Sequence, residues 1–373
     1  MRASVRRLFA TSVWQDREVR ERLKWYYNVM NNLKPAKFLI AKRIACEVSM
    51  ESSSDERLWE EHERLSKIFN EVLNDIKNDR MILDELKPAA VSYIDLKVEI
   101  AKRMLKSCHF CEWKCKVNRY EAKKLGTCKV DNKSRVSTWF HHFGEEPPLV
   151  GYGGSGTIFF AGCTFKCVFC QNWDISQDPL NGAEVDGKRL ALIMRELRTT
   201  GALNINFVGG EPTPNLHTIL EGIRHLETNV PMLWNSNMYM SLESMRLLVD
   251  VIDIWLPDFK YGNDNCAIRL SKVPRYFEVV SRNHKIAHDS SDMIIRHLVL
   301  PGHLDCCTKP VLRWISENCP RALVNIMEQY RPEYIVAKRP NEYPDIARRP
   351  TFQEMEEAYT FAESLNIVYK PVS

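Results

Sequence analysis

The segment FFAGCTFKCVFCQNWDIS, residues 159–176, places Cys163, Cys167 and Cys170 in a C-x3-C-x2-C array behind an apolar run. Cysteines clustered in this way are typical of metal ligands in a reducing compartment. A structural zinc site is closed by four ligands, and no Cys or His within the next few residues supplies the fourth. A 4Fe-4S cube held by three thiolates leaves one iron without a protein ligand. The array therefore favours a cluster with one iron open to a small molecule.

The apolar run is the first of six short, β-prone runs, and the segments between them can each form a helix. Such alternation predicts a parallel sheet with right-handed helical crossovers. Six units indicate a partial (β/α)6 barrel rather than the closed eight-stranded form. The runs cover residues 157–162, 204–209, 231–236, 253–258, 294–301 and 324–329.

Polar or conformationally special residues directly follow these runs. Parallel α/β folds place their active sites at the carboxyl ends of the strands. We therefore expect these residues to meet at one mouth. They are the three cysteines after the first run, GGEPTP after the second, NSN after the third, DFK after the fourth, PGH after the fifth and QY after the sixth.

A second cysteine motif precedes the first run. It has the spacing C-x2-C-x3-C-x12-C, and four thiolates can close either a zinc site or a second iron-sulfur cluster. Spacing alone does not choose between the two metals. The ligands of this motif are Cys108, Cys111, Cys115 and Cys128.

Five of the 12 cysteines belong to neither motif, and we expect them to be buried or incidental thiols. Two of them are adjacent in the segment HLDCCTKP, where a redox role and simple burial both stay open. The five are Cys46, Cys266, Cys306, Cys307 and Cys319.

Outside the motifs, residues 51–76 show apolar side chains at helical spacing, and Ser53 with Glu56 predicts a capping box at the start of that helix. A second amphipathic pattern near the end of the chain predicts a helix that packs on the barrel. We divide the chain into a basic, helical extension (1–107), a cysteine-rich metal-binding segment (108–150), the barrel (151–345) and the terminal helix (346–373).

Composition excludes several classes of protein. With 52 Lys and Arg against 48 Asp and Glu, the net charge of +4 gives no strong indication of nucleic-acid or anionic-membrane binding. No apolar run approaches the roughly 20 residues of a membrane span, so we expect a soluble, cytoplasmic protein. The first 15 residues contain three arginines and no acid, which indicates a basic helix or tail in preference to a mitochondrial transit peptide.

The C-x3-C-x2-C array, with Phe169 before its last cysteine, resembles the motif of the radical S-adenosylmethionine (SAM) enzymes. A second element of that superfamily, a GGE segment, matches Gly209, Gly210 and Glu211 behind the second run. The resemblance implies that this segment binds the amino group of SAM, with the Glu211 carboxylate offered to the ammonium and the glycines allowing close backbone approach.

Within the superfamily, residues 108 to 370 resemble the pyruvate formate-lyase activating enzymes, and more closely their homologues with an added N-terminal cysteine motif. Their D-x-K element matches Asp258 and Lys260, and their R-x-V-x-x-P-G element begins at Arg296, with leucine in place of valine. The resemblance implies that Lys260 and Arg296 hold the SAM carboxylate or ribose. Where those enzymes have a D-T-N-G-like turn, this chain has NSNM from Asn235, which lacks the acid and the glycine expected at the ribose contact.

By this resemblance, Cys163, Cys167 and Cys170 carry a 4Fe-4S cluster that reductively cleaves SAM. The resulting 5'-deoxyadenosyl radical abstracts a hydrogen atom from the substrate. The implied partners are a low-potential electron donor such as flavodoxin or ferredoxin and a glycyl-radical enzyme whose backbone glycine is the substrate. The alternative is a radical SAM enzyme that acts on a small molecule, a peptide or RNA.

Overall fold

The computed structural model describes residues 12–373, which form an α/β fold around one eight-stranded sheet. The strands are β1 (Ser134–His142), β2 (Ser155–Phe160), β3 (Ala183–Val185), β4 (Ile205–Gly209), β5 (Met232–Ser236), β6 (Ile254–Pro257), β7 (Asp292–Leu298) and β8 (Leu323–Met327).

The sheet order is β3-β1-β2-β4-β5-β6-β7-β8. The last six strands in this order are mutually parallel and coincide with the six predicted runs. Strand β1 runs antiparallel to both β2 and β3. Within residues 12–373 the sheet ends at β3 and β8 without closing, so the prediction of six parallel strands in an open, partial barrel is confirmed. Strand β3 has three residues and is too short to show a sequence pattern.

Fifteen α-helices surround the sheet in the described part of the chain. They are α1 (Arg17–Arg22), α2 (Lys24–Met30), α3 (Lys37–Ala41), α4 (Asp55–Lys77), α5 (Tyr93–Met104), α6 (Pro147–Val150), α7 (Trp173–Ser176), α8 (Gly187–Thr199), α9 (Leu216–His225), α10 (Leu242–Val249), α11 (Asp264–Ser271), α12 (Tyr276–Ser290), α13 (Lys309–Asn318), α14 (Tyr334–Lys338) and α15 (Phe352–Ser364).

The two faces of the sheet differ because successive side chains of a strand point to opposite sides. One face is mainly apolar and packs under the crossover helices, with Trp234 and Trp255 fully buried in the main core. On the inner face, an apolar residue near the start of a strand precedes a polar residue two positions later. The pairs are Leu233 with Asn235, Ile294 with Arg296, and Leu323 with Asn325.

Helices α1 and α2 pack against the apolar residues of the inner face and form a second core with them. Trp25 donates its indole N–H to Asp253 Oδ1 at 2.8 Å, and the Tyr26 backbone N–H bonds Asp292 Oδ2 at 2.8 Å. These aspartates lie at the amino ends of β6 and β7. The N-terminal helices therefore cover the amino end of the barrel, here called its floor. The polar mouth lies at the opposite end, where the carboxyl ends of the strands meet.

A buried ion pair joins the helical extension to the barrel. Lys97 of α5 is fully buried and lies 3.1 Å from Asp250, which also accepts a hydrogen bond of 2.7 Å from the Tyr93 hydroxyl. Removing one member of such a pair is strongly destabilising because the other charge stays buried. The extension and the barrel are thus packed together, and the division of the chain into four domains stays a prediction.

The two predicted amphipathic helices are present as α4 and α15, but the first begins differently from the expectation. Ser54, not Ser53, is the N-cap of α4, and its hydroxyl oxygen accepts the N–H of Arg57 at 3.3 Å. The prediction of a basic N-terminal helix or tail, and the transit-peptide alternative, fall mainly on residues 1–11, outside the described residues. A search of residues 12–373 finds no helix long and apolar enough to cross a membrane.

Candidate active site

The three cysteines of the C-x3-C-x2-C array lie on the segment 163–170, here called the cysteine loop, between β2 and α7. Each sulfur has a hydrogen-bonding partner other than the three cysteines, which is the usual surrounding of a metal-binding thiolate. The Phe165 N–H bonds Cys163 Sγ at 3.3 Å, the Ser271 hydroxyl bonds Cys167 Sγ at 2.9 Å, and Cys170 Sγ lies 3.3 Å from the Ser176 hydroxyl.

The loop suits a metal better than free thiolates. Burial raises the pKa of all three thiols, that of Cys167 to about 11. Without a cation nearby they would therefore stay protonated, whereas soft sulfur ligands on iron are held as thiolates. Three such donors with no fourth in the loop match a 4Fe-4S cluster with one open iron. The residues present thus fit the group that the spacing indicates.

One cavity of about 1040 Å³ lies at the polar mouth of the barrel. It is lined by every residue that the sequence predicts for the cluster and for SAM, whereas the four cysteines of the N-terminal motif do not line it. The predicted residues brought together are Cys163, Cys167, Phe169, Cys170, Gly209, Gly210, Glu211, Asn235, Asp258, Lys260 and Arg296.

The two glycines of the GGE segment are required by the chain's own backbone. A Cβ on Gly209, whose φ is +123°, would lie 2.3 Å from the backbone of Phe160, and one on Gly210 would lie 2.2 Å from the carbonyl oxygen of Gly162. The expectation that they serve the approach of a ligand is thus incomplete. Because they lack a side chain, the end of β4 can contact the backbone of Phe160 and Gly162, directly before the cysteine loop.

Glu211 is 2% exposed and connects the ends of β4 and β5. Its Oε1 accepts the Ser236 hydroxyl at 2.7 Å, and its Oε2 accepts the Asn237 backbone N–H at 2.9 Å. Thr213 donates a further hydrogen bond to Oε1. Burial raises the pKa of this carboxyl despite these donors. Since a carboxylate oxygen accepts about two hydrogen bonds, Oε2 retains capacity for one more donor.

Asp258, Lys260 and Arg296 form an ion triad at the ends of β6 and β7. Arg296 Nε donates to Asp258 Oδ1 at 2.8 Å, and Lys260 Nζ bonds the other oxygen of the same carboxylate. Burial opposes ionisation of Asp258, but the two cations outweigh it and hold its pKa below the usual value. Arg296 also donates to the side-chain oxygen of Asn235. The amide nitrogen of Asn235 is buried with no partner.

Sequence reasoning missed two acidic residues of the cavity, Glu145 and Glu146. Glu145 lies 3.6 Å from Arg296, and Glu146 Oε1 accepts the Asn325 amide at 2.8 Å. Burial raises the pKa of Glu146 to about 7, and its Oε2 has no partner. Both residues precede α6 and enter the inner face from the amino ends of the strands. A search of the carboxyl ends of strands therefore could not find them.

The segment with the N-terminal cysteine motif packs against the cysteine loop. The indole N–H of Trp113 donates to the carbonyl oxygen of Thr164 at 2.9 Å, and Cys111 forms a β-bridge with Met240. The identity of a metal at this motif stays open, and metal binding there stays a prediction.

Among the residues that the structure describes, one set alone brings three or more potential His, Cys, Asp or Glu ligand atoms within 4.8 Å of one another. It consists of Cys266, His303, Cys306 and Cys307, here called the His303 cluster. Of these cysteines, Cys307 is buried as expected, whereas Cys266 is partly exposed and Cys306 is exposed. Cys46 and Cys319 are buried as expected.

Comparison with known proteins gives a family match and a long relative. Residues 157–315 match the profile of the Radical SAM superfamily. An uncharacterized protein of Methanocaldococcus jannaschii is 47% identical over 348 residues, which cover 92% of this chain and 97% of that protein.

Two solved structures show a remote likeness to this chain. SuiB of Streptococcus suis, bound to precursor peptide SuiA, matches 54% of this chain and 43% of its own, at 14% identity and a TM-score of 0.39. The radical SAM methyltransferase TsrM of Kitasatospora setae matches 47% of this chain and 37% of its own, at 14% identity and a TM-score of 0.35. The chain thus spans less than half the length of these solved proteins.

Proposed function

The chain belongs to the radical SAM superfamily, whose members use a 4Fe-4S cluster and SAM, and on this premise we propose that it cleaves SAM reductively at the cysteine loop. The observation that carries the proposal is the convergence of three thiols, without a fourth, on the cavity that also holds the Asp258, Lys260 and Arg296 triad. When bound, the cluster supplies the electron that splits the sulfonium bond of SAM.

We assign the binding of SAM to groups with unused hydrogen-bonding capacity. The buried amide nitrogen of Asn235 donates to a ribose hydroxyl, which compensates for the acid missing from its turn. Glu211 Oε2 accepts one N–H of the ammonium, and Lys260 and Arg296 hold the carboxylate. Both cations are paired with Asp258, so the carboxylate of SAM joins an existing ion network and does not contact unpaired cations.

The apolar floor of the barrel protects the chemistry. The inner-face core built by α1 and α2 closes the amino end of the barrel beneath the cavity. Reactive intermediates survive only where water and competing hydrogen donors are excluded. The floor leaves the polar mouth as the way in for SAM and substrate.

For the substrate we propose a backbone glycine of a partner protein, as in the pyruvate formate-lyase activating enzymes. The support is the D-x-K and R-x-x-x-x-P-G elements, together with a cavity at the upper limit of the roughly 300–1,000 Å³ typical of small-ligand sites. Such a volume accommodates SAM together with an inserted loop. A flavodoxin or ferredoxin is the expected electron donor.

A second candidate function is supported by the acidic pair. The partnerless Glu146 Oε2 offers a buried acceptor beyond the groups assigned to SAM, and this suits a small substrate with a hydroxyl or amino group. Under this alternative the enzyme acts on a small molecule, and Glu146 orients it.

The first experiment tests SAM cleavage. The full-length protein is reconstituted anaerobically with iron and sulfide, reduced with dithionite and assayed for 5'-deoxyadenosine. We expect the product from the wild-type protein and from Cys46→Ala, a buried cysteine outside every cluster, and none from Cys167→Ala. Equal product from Cys167→Ala would contradict the proposal.

The second experiment separates the two substrates. Anaerobic extract of the source cells is divided by ultrafiltration into macromolecular and small-molecule fractions, and each is added to the reduced enzyme with SAM. Stimulation by the macromolecular fraction, sensitive to protease and accompanied by a glycyl-radical signal in electron paramagnetic resonance, supports activation of a partner. Stimulation by the small-molecule fraction alone, reduced by Glu146→Gln, supports the alternative and overturns the first assignment.

A further inference from the structure

The His303 cluster lies outside the cavity and outside both cysteine motifs. Cys266 is in the first turn of α11, His303 directly follows the Pro-Gly turn after β7, and Cys306 and Cys307 lie in the π-helical turn Leu304–Thr308. Single π turns inside helical segments frequently occur at functional sites. Two strand-to-helix connections are thus needed to assemble the four side chains.

The distances within the cluster are those of a single tetrahedral ion. Sulfur–sulfur distances are 3.9 Å for Cys266 with Cys306 and 3.8 Å for Cys306 with Cys307. The His303 Nδ1 lies 3.6, 3.3 and 3.9 Å from the three sulfurs. A tetrahedron with Zn–S of about 2.3 Å and Zn–N of about 2.05 Å has edges of about 3.8 Å between sulfurs and about 3.6 Å between sulfur and nitrogen.

The outer contacts of the cluster fix the ligands as they do in metal sites. His303 directs its other ring nitrogen, Nε2, to Asp345 Oδ2 at 2.8 Å, which leaves the Nδ1 lone pair facing the sulfurs. Arg269 holds that carboxylate with two hydrogen bonds of 2.6 Å. A histidine that ligates metal usually donates its second nitrogen to such a carboxylate.

The backbone around the sulfurs is equally constrained. The Asn263 amide donates to Cys266 Sγ at 3.4 Å and to the carbonyl oxygen of Cys306 at 2.8 Å. A Cβ on Gly262 would lie 2.6 Å from that same oxygen, so glycine is needed for the two connections to meet. These contacts draw the four ligands together from separate parts of the chain.

We propose that Cys266, His303, Cys306 and Cys307 bind one zinc ion in a closed, structural site. Three thiolates and one imidazole are a ligand set of structural zinc, and four protein ligands leave no open position for catalysis. The sulfurs are too close together for an iron-sulfur cube, because each thiolate of a cube binds a different iron. The ligand set also lacks the oxygen donors that calcium and magnesium require. The sulfurs are also well beyond the roughly 2.05 Å of a disulfide bond.

The zinc supports the cysteine loop through α11. Five residues after Cys266, the same helix ends at Ser271, whose hydroxyl donates to Cys167 Sγ and whose carbonyl oxygen accepts the Lys166 N–H at 3.0 Å. The ion anchors the start of α11, and the end of α11 positions one ligand of the catalytic loop. The site therefore stabilises the fold where the cluster is held.

Metal analysis of the anaerobically purified full-length protein tests the proposal. Zinc and iron per chain are measured for the wild type, Cys306→Ala, Cys111→Ala and the control Cys46→Ala. We expect Cys306→Ala to lose one zinc per chain with no loss of iron, and Cys46→Ala to match the wild type. The zinc content of Cys111→Ala, compared with the wild type, measures separately any zinc bound at the N-terminal motif. An equal zinc content in Cys306→Ala and the wild type overturns the proposal.

A measurement on the wild-type protein covers the case in which Cys306→Ala does not fold. Anomalous diffraction from crystals of the purified protein, collected on both sides of the zinc absorption edge, should give a peak between His303 Nδ1 and the three sulfurs. Density for free thiols or for a disulfide, without an anomalous peak, would overturn the zinc site.

Discussion

The cysteine loop and the His303 cluster both contain three cysteine sulfurs, yet the sulfurs are brought together in different ways. In the loop, the sulfurs come from one eight-residue segment, line a large cavity and have no fourth ligand in that segment. In the His303 cluster, four ligand atoms from two connections lie within 4.8 Å of one another. The comparison shows that the loop can be recognised from spacing along the chain, whereas the His303 cluster is recognised only from convergence in space.

The largest expected effect is the independent loss of metal at the two sites in two variants. Cys167→Ala should lose the iron of the catalytic cluster and reduce SAM cleavage to background while it retains the zinc. Cys306→Ala should show the reverse pattern, with zinc lost and cleavage retained at least in part. Metal content and 5'-deoxyadenosine formation are measured together. Loss of both metals in both variants would mean that the two regions form one site.

A second prediction concerns the carboxylate behind His303. Asp345→Asn keeps the shape but removes the charge that orients the imidazole, and we expect the affinity for zinc to fall about 10–100-fold. Competition with a chromophoric chelator measures this affinity, and Glu342→Gln, at a surface residue on the same loop, is the control. Unchanged affinity in Asp345→Asn would show that Asp345 only pairs with Arg269.

A third prediction tests the open site. Asn235→Ala removes the partnerless amide nitrogen that we assign to the ribose of SAM, together with the oxygen that accepts from Arg296. Loss of the ribose hydrogen bond, worth about 0.5–1.5 kcal/mol, should by itself raise the KM for SAM roughly two- to tenfold. The zinc content should not change. Initial rates of deoxyadenosine formation at several SAM concentrations give the KM. An effect on kcat alone would indicate that Asn235 positions Arg296 and does not bind SAM.

The smallest predicted effect is a difference in the response to pH. Because burial raises the pKa of Glu146 from 4.5 to about 7, the folded protein holds a proton there that the unfolded chain releases. Glu146 therefore lowers the free energy of unfolding as the pH rises through this window. Zinc binding has the opposite dependence, since protons compete for cysteine and histidine at low pH.

Glu146→Gln should consequently flatten the fall in Tm as the pH rises from about 4.5 to 7, whereas Glu56→Gln, at an exposed position of α4, should not. Thermal unfolding of the three proteins across this range provides the comparison. An identical pH profile for Glu146→Gln and the wild type would show that the Glu146 carboxyl ionises as freely in the cavity as in water.

How much of this could be predicted from the sequence depends on the range of each interaction. The six parallel strands follow from local apolar runs, and Lys260 and Arg296 meet because carboxyl ends of parallel strands share one edge. Glu145 and Glu146 follow no such rule, since they reach the inner face from its floor. The His303 cluster joins Cys266 to residues about 40 positions later, and only the packing of two connections reveals that they meet. The expectation that Glu211 offers its carboxylate to SAM did not include the hydroxyls of Thr213 and Ser236, which also donate to it.

The floor of the barrel also carries a consequence for how the chain folds. Trp25 and Tyr26 are synthesised before their partners Asp253 and Asp292, which lie 228 and 266 residues further along the chain. Closing so long a loop costs conformational entropy, and contacts with the sheet offset this cost only once the strands have formed. These two contacts can therefore form only after β6 and β7 have been synthesised. Until then, the apolar residues near the amino ends of the inner-face strands lack the cover of α1 and α2.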